Sequence, residues 1–311
     1  MGPLLMLFAI YTAIFLIGMF MMKAGFYALS GHRLKRWLMR FTAAPWQGFL
    51  TGMAATALVQ SSSAVMVMTV GLVATGYLSF RQSIGIILGS NIGSTVTTEL
   101  MTLDIGDGAI PLLIGGALLV FIGRRRFVYS IGMIAVGLAA LLFAMNGFSS
   151  LAKPLADYPL VDAWLKQTNS STAIGLFVGI ALTALVHSSA ATIGIAMGFL
   201  NEQLLTLPAA IAILLGANIG TCITGLLASI GSSKEAQLTA YTHLWLNVAG
   251  VAVFAFWTEP FARFAAMLSP APDVQLAHVS VLFNTICSAA ALPFVGIIET
   301  AILRLHGQNR A

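Results

Sequence analysis

The stretch ALVQSSSAVMVMTVG, residues 57–71, sets a glutamine and three serines in a row inside an otherwise apolar run. Buried polar groups cost free energy unless something satisfies them, and more so in lipid, where no water stands in. What Gln60, Ser61, Ser62 and Ser63 are bonded to therefore decides how this chain is folded. The stretch is also repeated. GFLTGMAATALVQSSSAV (48–65) lies over GLFVGIALTALVHSSAAT (175–192), and SIGIILGSNIGSTVT (83–97) lies over AIAILLGANIGTCIT (210–224). Both pairs share one offset without a gap, and 20 of the 50 positions in 48–97 are identical to their partners. Chance does not produce that agreement.

The surroundings are those of a membrane protein. Of 311 residues 59% are hydrophobic and 8% charged, with a mean hydropathy of +0.94, whereas soluble domains carry about a quarter charged residues. Apolar stretches recur at 3–22, 83–103, 109–123, 127–147, 205–230, 236–258 and 278–303; a span needs roughly 20 such residues. The fold class is an all-α polytopic membrane protein, with no hydrophilic stretch long enough for a soluble domain. Residues 1–22 lack a basic n-region and a cleavage site, so they read as a first span and not a signal peptide. The net charge of +5 sits at the ends of spans and gives no reason to expect nucleic acid. Cys222 and Cys287 lie in apolar runs and read as packing residues.

The offset maps span 3–22 onto 127–147, 109–123 onto 236–258, and the basic amphipathic segment 31–42 onto 158–169. The first repeat is then 1–126 and the second 127–258, with 259–311 as an extra C-terminal span. If 46–76 dips into the membrane as a helical hairpin bent at QSSS, each arm is about 20 Å long, too short to cross. Treating 173–202 alike puts Lys23, Arg33, Lys35, Arg36, Arg40, Arg81, Arg124, Arg125, Arg126, Lys234, Arg304 and Arg310 on one side, against Lys153, Lys166 and Arg263. That split satisfies the positive-inside rule, with the N-terminus outside and the C-terminus cytoplasmic. Three full crossings per repeat make the second repeat inverted, so two re-entrant hairpins meet mid-membrane from opposite faces.

At such a tip one helix ends and another begins. The start of the second arm, at Ser61 or Ser188, offers free backbone N–H groups and the positive end of a helix dipole, to which serine hydroxyls add donors. Two converging tips suit an anion. The plain alternative is packing, since small residues line helix contacts in membranes; GFLTG and GLFVG fit that reading, but four consecutive polar residues repeated at a fixed offset do not. The second element, GSNIGSTVTTE (89–99) and GANIGTCITG (216–225), sets glycines around an asparagine and predicts an unwound turn in a broken transmembrane helix. Freed carbonyls with Asn and Thr oxygens suit Na⁺; a close glycine crossing is the structural alternative. Glu99 has the apolar partner Leu226, and His243 with Asn247, or His278 with Asn284 and Thr285, read as interhelical hydrogen-bonding groups. No arginine or lysine is expected at the site, so mobile cations would balance the anion.

On QSSSA (60–64), HSSAA (187–191) and the paired GSNIGS and GANIGT, the chain resembles the type II sodium-dependent phosphate cotransporter family. The resemblance covers both repeats. It implies a secondary active symporter of inorganic phosphate and Na⁺ working by alternating access, with no cofactor and no enzyme activity. Phosphate is then assigned to Gln60, Ser61, Ser62, Ser63, His187, Ser188 and Ser189, and sodium to Asn91, Gly93, Thr95, Asn218, Gly220 and Thr221. The implied location is the plasma membrane (bacterial inner membrane), the partners are phosphate, sodium and the lipid bilayer, and a homodimer is allowed. Two departures stand out. His187 replaces the second glutamine and Ala190 the last serine. A histidine can change charge in the physiological range where glutamine cannot, so a pH dependence of uptake that His187→Gln flattens is expected. The alternatives are transport of another oxyanion or a carboxylate, with protons in place of sodium, and an intramembrane hydrolase using Ser188 or Ser62 with His187. The hydrolase lacks a buried acid to orient its histidine.

Overall fold

A computed structural model describes residues 2–307; Met1 and 308–311, including Arg310 of the charge count, lie outside the described residues. Every element is a helix. The chain opens with α1 (Gly2–Arg40), which joins the expected span 3–22 and the basic segment 31–42 into one rod. No proline interrupts it. Gly18 and Gly25 do not break it either, because each lies against the backbone of the sixth helix, where a Cβ would strike the carbonyl of Gly137 or Ser130. The segment equivalent to 31–42 is instead a separate helix in the second half, because Pro159 starts a new helix at its first turn.

A hairpin follows: α2 (Pro45–Val59) and α3 (Ser62–Ala74). Next come α4 (Phe80–Leu100), α5 (Ala109–Ile122) and α6 (Arg126–Ala156). The amphipathic α7 (Pro159–Ser170) leads to a second hairpin, α8 (Thr172–Val186) and α9 (Ser189–Asn201). Then α10 (Leu207–Ser229) and α11 (Lys234–Phe254) complete the second half. The C-terminal region holds α12 (Thr258–Leu268), α13 (Pro272–Ala291) and α14 (Val295–His306). A 3₁₀ turn at Leu292–Phe294 separates the last two, where Pro293 removes a ladder hydrogen bond. Among the described residues five helical stretches are long and apolar enough to cross a membrane, and the protein is an all-α polytopic membrane protein. At 14 residues α5 is about 21 Å long; the 3₁₀ turn Gly106–Gly108 in front of it extends the helical stretch.

Two packing relations position the site. Helix α2 runs parallel to α4 in a constant register: a Cβ on Gly89 would strike the carbonyl of Phe49, and one on Gly93 that of Met53. The equivalent pairs recur in the second half, Gly216 against Leu176 and Gly220 against Ile180, between α10 and α8. These contacts correct the expected unwound turns. Both GSNIGS and GANIGT are continuously helical, because their glycines bring two backbones together and the helix ladder is never opened. The second relation is between α1 and α6, which run antiparallel: Gly18 meets Gly137 to Leu141, while Gly25 meets Ser130 to Ile134. Aromatic contacts of Phe15 and Phe8 with Phe148 close the same seam.

Candidate functional site

The first hairpin turns at Gln60, held in the left-handed region at φ 56°. An ordinary side chain is uncommon there, so something must hold it. Gln60 is 3% exposed; its amide donates to the carbonyl of Ala57 and its Oε1 accepts from Thr97 Oγ1 on α4 at 2.9 Å. The glutamine is therefore a strut that fixes the tip to α4. After it, extended Ser61 caps α3: its hydroxyl oxygen accepts from the backbone N–H of Ala64 at 3.2 Å. The hydroxyls of Ser62 and Ser63 make no hydrogen bond among the described residues.

The second tip repeats this backbone. His187 is left-handed at φ 54°, and Ser188 caps α9 by accepting from Ala191 N–H at 3.2 Å. Here the strut is absent. His187 is exposed and bonds to nothing among the described residues, although Thr224, the equivalent of Thr97, is present.

The two tips meet. One cleft of about 50 Å³ is lined by Gln60, Ser61, Ser62 and Ser63 from the first tip and by His187, Ser188, Ser189 and Ala190 from the second. That is room for a few waters or one compact ion. The starts of α3 and α9 both open onto it, each with uncommitted backbone N–H groups and the positive end of its dipole. No acid is among its lining residues, so no carboxylate there opposes an anion. A larger groove of about 290 Å³, between α7, α8 and α9, is walled by Trp164, Phe177 and other apolar side chains and offers no chemistry.

The sodium candidates are divided. Asn218 lines the cleft, with its amide donating to Leu214 carbonyl at 3.0 Å. Asn91 opens instead into a separate cavity between α4, α11 and α13. Thr95 and Thr221 donate to carbonyls of their own helices, at Ile92 and Ala217, and Gly93 and Gly220 are occupied in helix packing. The unbroken helices leave no freed carbonyls here.

Other cleft residues are not apparent from sequence. Ser94, Thr97 and Thr98 come from α4 and Ser280 from α13; the threonines lie inside GSNIGSTVTTE. Lys23 also lines the cleft, which corrects the expectation of no lysine at the site. A first span ending at residue 22 makes Lys23 a flanking charge; α1 in fact continues to Arg40. Beside the cleft, His278 Nδ1 on α13 lies 3.1 Å from Glu99 Oε1 on α4, an interhelical pair as expected. Asn247 donates to its own helix at His243, and the buried His243 Nδ1 has no partner among the described residues.

Comparison with known proteins identifies the family of the chain. A model of the Na+/Pi-cotransporter family matches residues 14–150 and 155–269. An uncharacterized protein of Bacillus subtilis (strain 168), YqeW, is 38% identical over 96% of this chain and 97% of its own length. A Salmonella typhimurium protein named "Putative inorganic phosphate export protein YjbB" is 23% identical over 94% of this chain, which spans about half (54%) of that relative's length. Human sodium-dependent phosphate transport protein 2B is 29% identical over 37% of this chain and 16% of its own. No solved structure matches.

Proposed function

The chain belongs to the Na+/Pi-cotransporter family, and from that premise we propose that it moves inorganic phosphate across the membrane with sodium by alternating access. The family is one of transporters, which removes the hydrolase reading. The observation that carries the proposal is the meeting of the two QSSS-type tips in one acid-free cleft. Phosphate is held there by the hydroxyls of Ser62, Ser63 and Ser189, with the capping Ser61 and Ser188 and the backbone N–H groups at the starts of α3 and α9. Gln60 acts through the tip it braces, and His187 at the cleft mouth.

Sodium is proposed at Asn218 with neighbouring cleft hydroxyls, the part of the assigned set (Asn91, Gly93, Thr95, Asn218, Gly220, Thr221) that reaches the anion. The remaining five would join only in a state where α4 or α10 opens. Residues 1–126 and 127–258 are proposed as inverted repeats with re-entrant hairpins, and 259–311 as a C-terminal addition. The antiparallel packing of the equivalent helices α1 and α6 supports inversion, because a twofold axis in the membrane plane relates antiparallel helices. A plasma-membrane location with the N-terminus outside and the C-terminus cytoplasmic follows from the charge split. With Lys23 in the cleft, eleven basic residues still face three.

The test is radiolabelled phosphate flux in proteoliposomes of the purified protein, with a sodium gradient in either direction. Sodium-driven accumulation that excess cold phosphate abolishes and sulfate does not is the expected result. Flux indifferent to the sodium gradient would overturn the coupling, and absence of phosphate flux in both directions would overturn the substrate.

A further inference from the structure

We propose that Lys23 is the fixed counter-cation of the transported anion, supplying inside the cleft a positive charge that coupling ions would otherwise have to bring. This rests on the phosphate reading above. Lys23 lies near the middle of α1, with about 30 Å of helix before it and about 25 Å after it. Its neighbours Met22 and Gly25 are buried against α6, and Lys23 itself lines the cleft with both hairpin tips. Among the described residues it forms no ion pair and no hydrogen bond. The acid next to the cleft residues Thr97 and Thr98 is Glu99, and it is engaged with His278 at 3.1 Å.

An ionisable side chain within a membrane helix is costly and marks an ion or substrate pathway. In this cleft two helix N-termini and uncommitted serine hydroxyls also favour an anion. The ammonium therefore has no protein partner to satisfy it, and a bound phosphate oxygen is the partner the geometry provides. A lysine suits a carrier better than an arginine would. It presents a compact point charge on a flexible stem, and lacks the rigid fork that clamps two phosphate oxygens at once, so it binds and also releases. The charge has a second effect. With the cleft empty, Lys23 disfavours a cation beside it, and the negative charge of bound phosphate removes that penalty.

The experiment compares Lys23→Gln and Lys23→Arg with the parent in the same proteoliposomes, with half-saturation for phosphate measured at several sodium concentrations. Lys23→Gln should raise the phosphate concentration for half-saturation at least tenfold and be partly rescued by higher sodium. Lys23→Arg should stay within about threefold and lose its turnover rate instead, because release slows. Lys23→Cys alkylated with 2-bromoethylamine regains an ammonium, and should recover phosphate affinity where alkylation with neutral iodoacetamide does not. This arm compares one folded protein with itself, so it answers even where Lys23→Gln folds poorly. Parent-like half-saturation in Lys23→Gln, or equal recovery with the neutral label, overturns the proposal. If the parent itself carries no phosphate, the transport reading fails, whatever Lys23 does.

Discussion

The two hairpins share a backbone and differ in what ties them down. In the first, Thr56 on α2 bonds Ser90 on α4 at 2.7 Å, and Gln60 bonds Thr97 on the same helix. In the second, the equivalent Thr183 turns inward and donates to Thr192 on α9 at 2.9 Å. Ser90 has become Ala217 and Gln60 has become His187, so α10 offers that hairpin no side-chain hydrogen bond at either place. The first hairpin is thus bolted to its neighbour, and the second is bolted to itself. Both keep the glycine seam against α4 or α10. A binding site built between a braced tip and an unbraced one can open by moving the unbraced one, while the braced tip keeps its serines in place.

The largest expected effect tests what the hairpins share. Gly89→Leu and Gly216→Leu each drive a side chain into a backbone carbonyl that cannot yield, and overpacking of this kind costs about 1–3 kcal/mol, here at the upper end. Thermal unfolding in detergent should show similar losses for the two variants; a loss in one alone would break the equivalence of the seams. Next come the tips themselves. Ser62→Ala and Ser189→Ala each remove a proposed donor to the phosphate, worth about 1.5–3 kcal/mol, so phosphate affinity should fall roughly ten- to hundredfold in both, with melting temperature unchanged. Parent-like phosphate dependence in either variant would show that its tip only packs.

A smaller effect separates the two tips. Gln60→Ala leaves Thr97 without its acceptor and should cost about 1–2 kcal/mol of stability, whereas His187→Ala should leave the melting temperature within error. Equal losses would mean that the second tip is braced in a way the hydrogen bonds do not reveal. The smallest effect reverses the difference. His187→Gln places an amide opposite Thr224, so it should gain about 1 kcal/mol and slow sodium-driven turnover. A faster carrier would contradict the idea that the second hairpin needs its freedom.

Hydrophobic runs and the constant repeat offset carried the helical class and the convergence of QSSS with HSSA, because both follow from local residue patterns repeated along the chain. The state of GSNIGS and GANIGT did not follow. Glycine weakens an isolated helix, but here each glycine is matched to a carbonyl on an earlier helix, Gly89 to Phe49 and Gly216 to Leu176, a relation visible only after folding. Gln60 was legible as a polar group needing partners and not as a strut, since Thr97 is brought to it by the packing of α2 on α4. Lys23 is misplaced by sequence alone for a similar reason. Its position relative to the tips depends on how α1 lies across the bundle, which nothing within residues 3–22 encodes.

The glycine seam also bears on how the protein is made. Each hairpin arm is 13 or 15 residues long, too short to settle across a bilayer alone. Its docking partner leaves the ribosome only after the whole hairpin has done so, since Gly89 seats against Phe49 and Gly216 against Leu176. Each newly made hairpin must therefore wait at the membrane, unseated, until α4 or α10 emerges and gives it a surface. Biosynthesis then proceeds in two matching stages, and a ribosome stalled before residue 89 or before residue 216 would leave the corresponding hairpin open to cleavage by a protease.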